Sequence, residues 1–111
     1  MVLMTGRSKY GNIKTKLDGH AFASKAEARR FAELKLLERA GLISSLTLQP
    51  KFPIVVNGTK VTTYIADFQY TEKGRVVIED VKSTSTITPV YRLKKKLLKA
   101  SLGLTVIEVF R

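Results

Sequence analysis

An α/β domain is what this sequence predicts, on three observations. An apolar stripe at helical spacing comes early, β-branched runs separated by tight-turn dipeptides fill the middle, and a proline-started helix precedes one last β-branched run. At 111 residues and 44% apolar content, the chain suffices for one compact domain with one core. The predicted order is helix, three strands, helix, strand behind a basic N-terminal extension, an α/β sandwich of modest size.

Residues 1–17 carry Arg7, Lys9, Lys14 and Lys16 and no acid, and Asp18-Gly19 follows as a tight-turn pair. Residues 1–23 therefore read as a basic arm leading into a small hairpin, and residues 24–111 as the core. Ser24 opens a helix over residues 24–40, because Ala28, Phe31, Leu34 and Leu37 recur at helical spacing and Gly41 is placed to stop it. Leu46 and Leu48 then alternate with polar residues, and residues 52–56 continue the strand past Pro50, which marks an edge or a bulge. Asn57-Gly58 turns the chain into a second strand over residues 60–70. A turn at residues 72–74 leads to a third strand over residues 76–82, completing an antiparallel meander. Residues 83–88 are a polar loop, Thr88 caps and Pro89 starts a second helix ending near Gly103, and residues 104–110 form the last strand. His20 reads as a loop residue.

Charge narrows the class of partner. Twenty Lys and Arg against nine Asp and Glu give +11, a self-repelling excess that suits a polyanion, so nucleic acid is the expected ligand. No run approaches the ~18 consecutive apolar residues of a membrane span, and no lipidation signal is visible, so no membrane partner is expected. The four-residue start before polar residues is far short of a secretory leader, which predicts a cytoplasmic protein. With no cysteine and only His20, a thiolate or histidine-rich metal site is excluded, and any bound metal must be held by oxygen.

With so few carboxylates, their placement is informative. Tyr64-Ile65-Ala66-Asp67-Phe68 sets Asp67 inside an apolar run, where an unpaired charge is costly. Two acids and a lysine interrupt the third strand as Glu79-Asp80-Val81-Lys82. If the turn between these strands holds two or four residues, position 67 lies opposite 80 or 78, and Asp67, Asp80 and Lys82 share one face. Glu79 then faces the other way, unless a bulge or three-residue turn shifts the register and makes it the ligand. Two close carboxylates raise one another's pKa unless a cation is bound, and Mg²⁺ suits all-oxygen donors, with Mn²⁺ as a substitute. Asp67 and Asp80 would bridge the metal, the backbone carbonyl of Val81 adding a ligand, and Lys82 would position water or steady the pentacovalent charge. On the first helix Glu27 projects between Phe31 and Leu34, facing the sheet, whereas Glu38 belongs to the last turn, where its charge reaches water.

Plainer accounts exist for each residue. Ser24-Lys25-Ala26-Glu27 matches a capping box, Asp67 fits a structural ion pair with Lys82, and the charged end of the third strand fits solvent. On the second helix Arg92, Lys95, Lys96 and Lys99 form a basic row opposite Val90, Leu93 and Leu97, read as a phosphate-tracking surface against core, although a solvated face explains the same spacing. Tyr10 and Tyr91 sit beside basic residues, placed either to stack on bases or to pack.

Taken together these residues resemble the PD-(D/E)XK nuclease superfamily. The likeness lies in the element order, an acid on the first helix, Asp67 on the second strand and Asp80-Val81-Lys82 on the third. Ser8-Lys9-Tyr10-Gly11-Asn12, Ser24-Lys25-Ala26-Glu27-Ala28, Leu48-Gln49-Pro50-Lys51-Phe52, Tyr64-Ile65-Ala66-Asp67-Phe68 and Glu79-Asp80-Val81-Lys82 are similar to a family of small phage and prophage proteins placed in it. Ala66 stands where the superfamily name has Pro, and Gln49 and Lys51 match the smaller family without an assignable chemistry.

The resemblance implies a restriction-endonuclease-like core, a mixed sheet flanked by helices in the order α-β-β-β-α-β. It implies Asp67 and Asp80 as metal ligands, Lys82 as catalytic lysine, Glu27 as the acid completing the site, and a bacterial host cytoplasm. The expected activity is a Mg²⁺-dependent endodeoxyribonuclease on branched DNA, like a Holliday-junction resolvase. Paired symmetric cuts would make it a homodimer, with no nucleotide cofactor. A nicking or structure-nonspecific endonuclease fits the same residues. A basic, non-catalytic nucleic-acid-binding protein is the alternative of another class.

Overall fold

The computed structural model of the chain describes the backbone of residues 15–17 and 19–111, and side chains from Gly19 onward except Thr84. The arm residues Arg7, Lys9 and Lys14, together with Tyr10, Asp18 and the side chain of Lys16, lie outside the described residues.

Strands β1 (Thr15–Leu17) and β2 (His20–Phe22) pair antiparallel as the expected small hairpin. His20 belongs to β2 rather than to a loop, its ring edge-on to Phe31 at 5.5 Å. Phe22 is buried against Phe31, with ring centroids 5.1 Å apart, so the hairpin closes the core of the domain. Helix α1 (Lys25–Arg39) starts where Ser24 Oγ accepts the Glu27 N–H at 3.1 Å. It stops at Gly41, whose φ of 77° lets its N–H and that of Leu42 return to the carbonyls of Glu38 and Leu37, each at 3.0 Å.

The middle of the chain departs from the predicted meander. Both long strands are broken: β3 (Ser44–Leu48) and β4 (Lys51–Val56) replace the first, and β5 (Thr59–Ile65) and β6 (Phe68–Glu72) replace the second. Asp67 therefore occupies the break after β5, not a strand interior. The cause is local. Pro50 has no N–H for a ladder, and Gln49 before it is left-handed at φ 50°. The two breaks face each other and stay joined, with the Gln49 N–H on the Asp67 carbonyl (3.0 Å) and the Ala66 N–H on the Pro50 carbonyl (3.1 Å). Beyond this bend β4 and β5 form a separate two-stranded ribbon.

Strand β7 (Arg75–Lys82) returns through the two-residue turn Lys73-Gly74, with φ of 51° and 76° at its two positions, as a type I′ hairpin requires. A 3₁₀ turn (Thr84–Thr86) leads to helix α2 (Pro89–Leu102), capped by Thr88, and then to β8 (Val106–Phe110). The main sheet has the order β3-β6-β7-β8, antiparallel except for β8, which lies parallel to β7. The protein is thus a mixed α/β fold with a mixed sheet flanked by helices. No described helix is long and apolar enough to cross a membrane.

Two apolar clusters lie on the two faces of that sheet. Ala28, Phe31 and Leu34 of α1 pack with Phe68 and Tyr70, while Leu98 of α2 packs with Ile54, Tyr64, Ile78 and Val106. The expected core row of α2 is corrected here: Val90 is 62% and Leu93 58% exposed. Leu97 of the expected row does pack on the sheet side, half-buried, together with Tyr91 and Leu98, because the face that meets Ile54, Tyr64 and Val106 is centred on positions 91 and 98 rather than on 90 and 93.

Candidate functional site

The two-residue turn fixes the register on which the site depends. Glu72 pairs with Arg75 and Phe68 with Glu79, which carries Asp67 opposite Asp80. Although Asp67 has left the ladder, its backbone keeps that place: its N–H donates to the Glu79 carbonyl at 3.1 Å and to Asp80 Oδ1 at 2.9 Å. Asp67 Oδ2 in turn accepts the Val81 N–H at 2.8 Å. Each aspartate is thus oriented by the other's neighbourhood, and of the two carboxylate oxygens of Asp67 only Oδ2 is hydrogen-bonded among the described residues.

Alternation along β7 sorts the rest. Val77, Glu79 and Val81 turn toward α1, and Ile78, Asp80 and Lys82 toward α2. Glu79, the acid whose face depended on register, is gripped from α1: Arg30 Nε donates to Oε1 at 2.8 Å and Nη2 to Oε2 at 2.7 Å, with the Tyr70 hydroxyl also donating to Oε2. Asp80 has no such cation. The Tyr64 hydroxyl donates to its Oδ2, and among the described residues no Lys or Arg side-chain nitrogen lies within 4.0 Å of a carboxylate oxygen of Glu27, Asp67 or Asp80, although Glu33, Glu38, Glu79 and Glu108 are all paired.

Glu27 is only 6% exposed, at the N-terminus of α1. Its Oε1 accepts the N–H of Ala23 at 3.3 Å, one residue before the capping-box position, while Ser24 caps the helix as expected. Burial, reinforced by the Asp67 charge, pushes the Glu27 carboxyl up to about 7. Burial likewise lifts Asp67 to about 6 against the opposing Val81 N–H, and raises Asp80 against the opposing Tyr64 hydroxyl.

Two clefts meet at this cluster. One, of about 290 Å³, runs between the ribbon and α2 past Tyr64, Asp80 and Tyr91. The other, of about 380 Å³, runs between the start of α1 and the turn after β7, past Glu27, Val81 and Ser83. Asp67 and Lys82 line both, so they stand on the shared rim.

Among the described residues no group of three or more Asp, Glu or His converges closely enough to enclose a metal ion. The donor set still fits Mg²⁺, which keeps several waters and commonly takes one or two carboxylates. Asp67 and Asp80 supply two, raised by burial and lacking a cation, with the Val81 main chain and Glu27 beside them.

The basic row of α2 lies away from the aspartates. Arg92, Lys95, Lys96 and Lys99 line a groove of about 520 Å³ against Leu104, Val106 and Glu108. Lys95 pairs with Glu108 at 3.1 Å and Lys99 donates to Thr105 at 3.1 Å, leaving Arg92 and Lys96 exposed along its edge.

Tyr64, Arg30 and Glu108 escaped the sequence reading as participants at the site, and Tyr91 entered it without a link to Lys82. Tyr64 and Arg30 hold the two β7 acids, Tyr91 lies beside Lys82, and Glu108 sits opposite Asp80 in the parallel pairing. Tyr91 was expected either to stack on bases or to pack; it is half-buried and its hydroxyl donates to Glu108 at 2.8 Å. One signal pointed to Arg30: a carboxylate on an apolar strand face demands a cation from the covering helix.

The sequence profile of the family described as "Protein of unknown function (DUF1064)" matches residues 7–107, so the chain belongs to that family. No curated protein matches it.

Proposed function

We propose that this member of the family is a Mg²⁺-dependent endodeoxyribonuclease with a restriction-endonuclease-like core, hydrolysing DNA phosphodiester bonds at Asp67, Asp80 and Lys82. The observation that carries this reading is the pair of facing aspartates, buried, oriented by backbone N–H groups and lacking a cation, beside a lysine on the rim of two clefts. Glu79 on the other face is, by contrast, neutralised by Arg30.

Asp67 and Asp80 would hold the metal, with the Val81 carbonyl and Glu27 as neighbouring donors. Bound there, Mg²⁺ supplies Lewis-acid activation of the phosphate and acidifies water. Lys82 donates to the phosphate oxygens as charge builds in the transition state, and orients the attacking water. Glu27, on the cleft that Asp67 and Lys82 also line, is placed to take the proton that water gives up. Attack of water forms a new P–O bond and breaks one ester P–O bond, the departing sugar oxygen takes a proton from solvent, and the product strands leave along the clefts. Arg92, Lys95, Lys96 and Lys99 would track phosphates further along the duplex, and the net charge of +11 favours that encounter. Branched DNA as substrate and a homodimer are proposed on the resemblance to junction resolvases, and a bacterial host cytoplasm on the resemblance to phage and prophage proteins.

A second reading has one observation in its favour. The absence, among the described residues, of three converging acids suits a basic DNA-binding protein that cuts nothing. A single panel separates them: a four-way junction, a linear duplex and a single strand, each with Mg²⁺, with Mn²⁺ and with chelator, using the parent and Asp67→Ala. Cleavage by the parent alone, dependent on metal and greatest on the junction, is expected. Equal cutting of all three substrates would replace the resolvase by a structure-nonspecific endonuclease. Binding without cleavage in every lane would leave the binding protein.

A further inference from the structure

Lys82 has no carboxylate within ion-pairing distance among the described residues, yet its ammonium is held in place by another means. Its Nζ lies over the ring of Tyr91, 3.9 Å from the centroid. An ammonium so placed is attracted by the negative face of the ring, the more strongly where water is partly excluded.

The ring is fixed at both ends. At its outer end the Tyr91 hydroxyl donates to Glu108 Oε2 at 2.8 Å, and Lys95 holds the same oxygen at 3.1 Å. At its inner end the Tyr91 N–H donates to the capping hydroxyl of Thr88 at 3.1 Å, locking the residue into the first turn of α2. The ring also stands 6.4 Å from that of Tyr64, whose hydroxyl donates to Asp80. Two neighbouring rings thus hold the two sides of the site, one through its hydroxyl on the carboxylate and one through its face on the ammonium.

We propose that Tyr91 is the positioning residue of Lys82, its ring face holding the ammonium beside Asp67 and Asp80. This inference rests on the nuclease reading, and it gives the start of α2 a role in the reaction besides packing. The ring face is the active feature. Tyr91→Phe keeps it and loses only the bond to Glu108, whereas Tyr91→Leu removes it.

The full chain is assayed with Mg²⁺ for kcat and KM on labelled DNA as parent, Tyr91→Phe and Tyr91→Leu. NMR of lysine-labelled protein follows the Lys82 ε-methylene protons, identified by their loss in Lys82→Arg. In the parent these protons lie upfield of those of the other lysines, through the ring current. Tyr91→Phe keeps that shift and most of kcat. Tyr91→Leu loses the shift, and its kcat falls about 3- to 30-fold at unchanged KM, the range a cation–π contact spans. If Tyr91→Leu fails to fold, Tyr91→Met, which fills similar volume without a ring, takes its place. Parental kcat without the ring, equal losses in the Phe and Leu variants, or no upfield shift in a cleaving parent would each overturn the inference alone. A parent that cleaves nothing would sink the nuclease reading and this role with it.

Discussion

Glu79 and Asp80 are consecutive residues of one strand, 1% and 3% exposed, and their surroundings are opposite in kind. On the α1 side, Glu79 meets a guanidinium in bidentate contact and a tyrosine hydroxyl, so its charge and lone pairs are satisfied. On the α2 side, Asp80 meets a tyrosine hydroxyl, a backbone N–H and a second carboxylate, with no guanidinium. Burial alone therefore does not mark a functional acid. What distinguishes the two sides is whether the fold supplies the countercharge or leaves it to a ligand.

The sharpest way to break this comparison is to remove one cation from each side. Arg30→Ala leaves Glu79 buried and unpaired and should cost about 3–5 kcal/mol of stability, read by denaturant unfolding. Lys82→Ala should leave the unfolding midpoint nearly unchanged while cutting the cleavage rate about 10²- to 10³-fold, as removal of a transition-state donor does. If Arg30→Ala unfolds no more readily than the parent, the two acids are alike after all.

Titration offers a second contrast. Glu27 rises from an ordinary 4.5 to about 7 and Asp67 from 3.8 to about 6, both chiefly through burial. Between those limits the folded chain holds more protons than the unfolded one, so these groups stabilise fully below about pH 4 and lose that contribution as pH rises toward 7. Glu33, Glu38 and Glu108, held below their usual range by hydrogen bonds from Arg111, Lys35 and Tyr91 respectively, act in the opposite sense at lower pH. The informative quantity is therefore a difference. In chelator, the Tm of Glu27→Gln relative to the parent should rise between pH 5 and pH 8, and Mg²⁺ should raise the parent's Tm more at pH 8 than at pH 5. A Mg²⁺ effect independent of pH would argue against binding by these carboxylates.

The smallest effect separates two hydroxyls. Tyr70→Phe removes one hydrogen bond to a group that Arg30 still neutralises and should cost only about 0.5–1.5 kcal/mol, with cleavage retained. Tyr64→Phe removes the matching bond to Asp80 and should alter cleavage more than stability. Equal behaviour of the two in both assays would erase the distinction.

Much of this geometry was legible in residue order, and the exceptions are physical. The facing of Asp67 and Asp80 was legible only on condition of the turn length at residues 72–74, and the two-residue turn Lys73-Gly74 meets that condition, with Glu79 on the other face. The boundaries of α1 followed from Ser24 and Gly41, and those of α2 from Thr88, Pro89 and Gly103. The break at Ala66-Asp67 was hidden because apolar residues run through it without a turn signal, and its cause, Pro50, sits on the partner strand. Of the apolar row read on α2, Leu97 packs while Val90 and Leu93 are exposed, because they are as apolar as Leu98 and local spacing does not say which side the sheet covers. Tyr64 and Tyr91 act through partners that converge in the fold, so local spacing carries no trace of them.

The paired break has a consequence for how this scaffold can be altered. Gln49 and Ala66 anchor the bend by their own backbone bonds, and the Asn57-Gly58 tip stands at the opposite end of the ribbon from the aspartate at its base. Peptide inserts or reporter tags grafted at that tip should leave the hydrolytic apparatus undisturbed, which makes the ribbon a natural handle for attaching the protein to other modules.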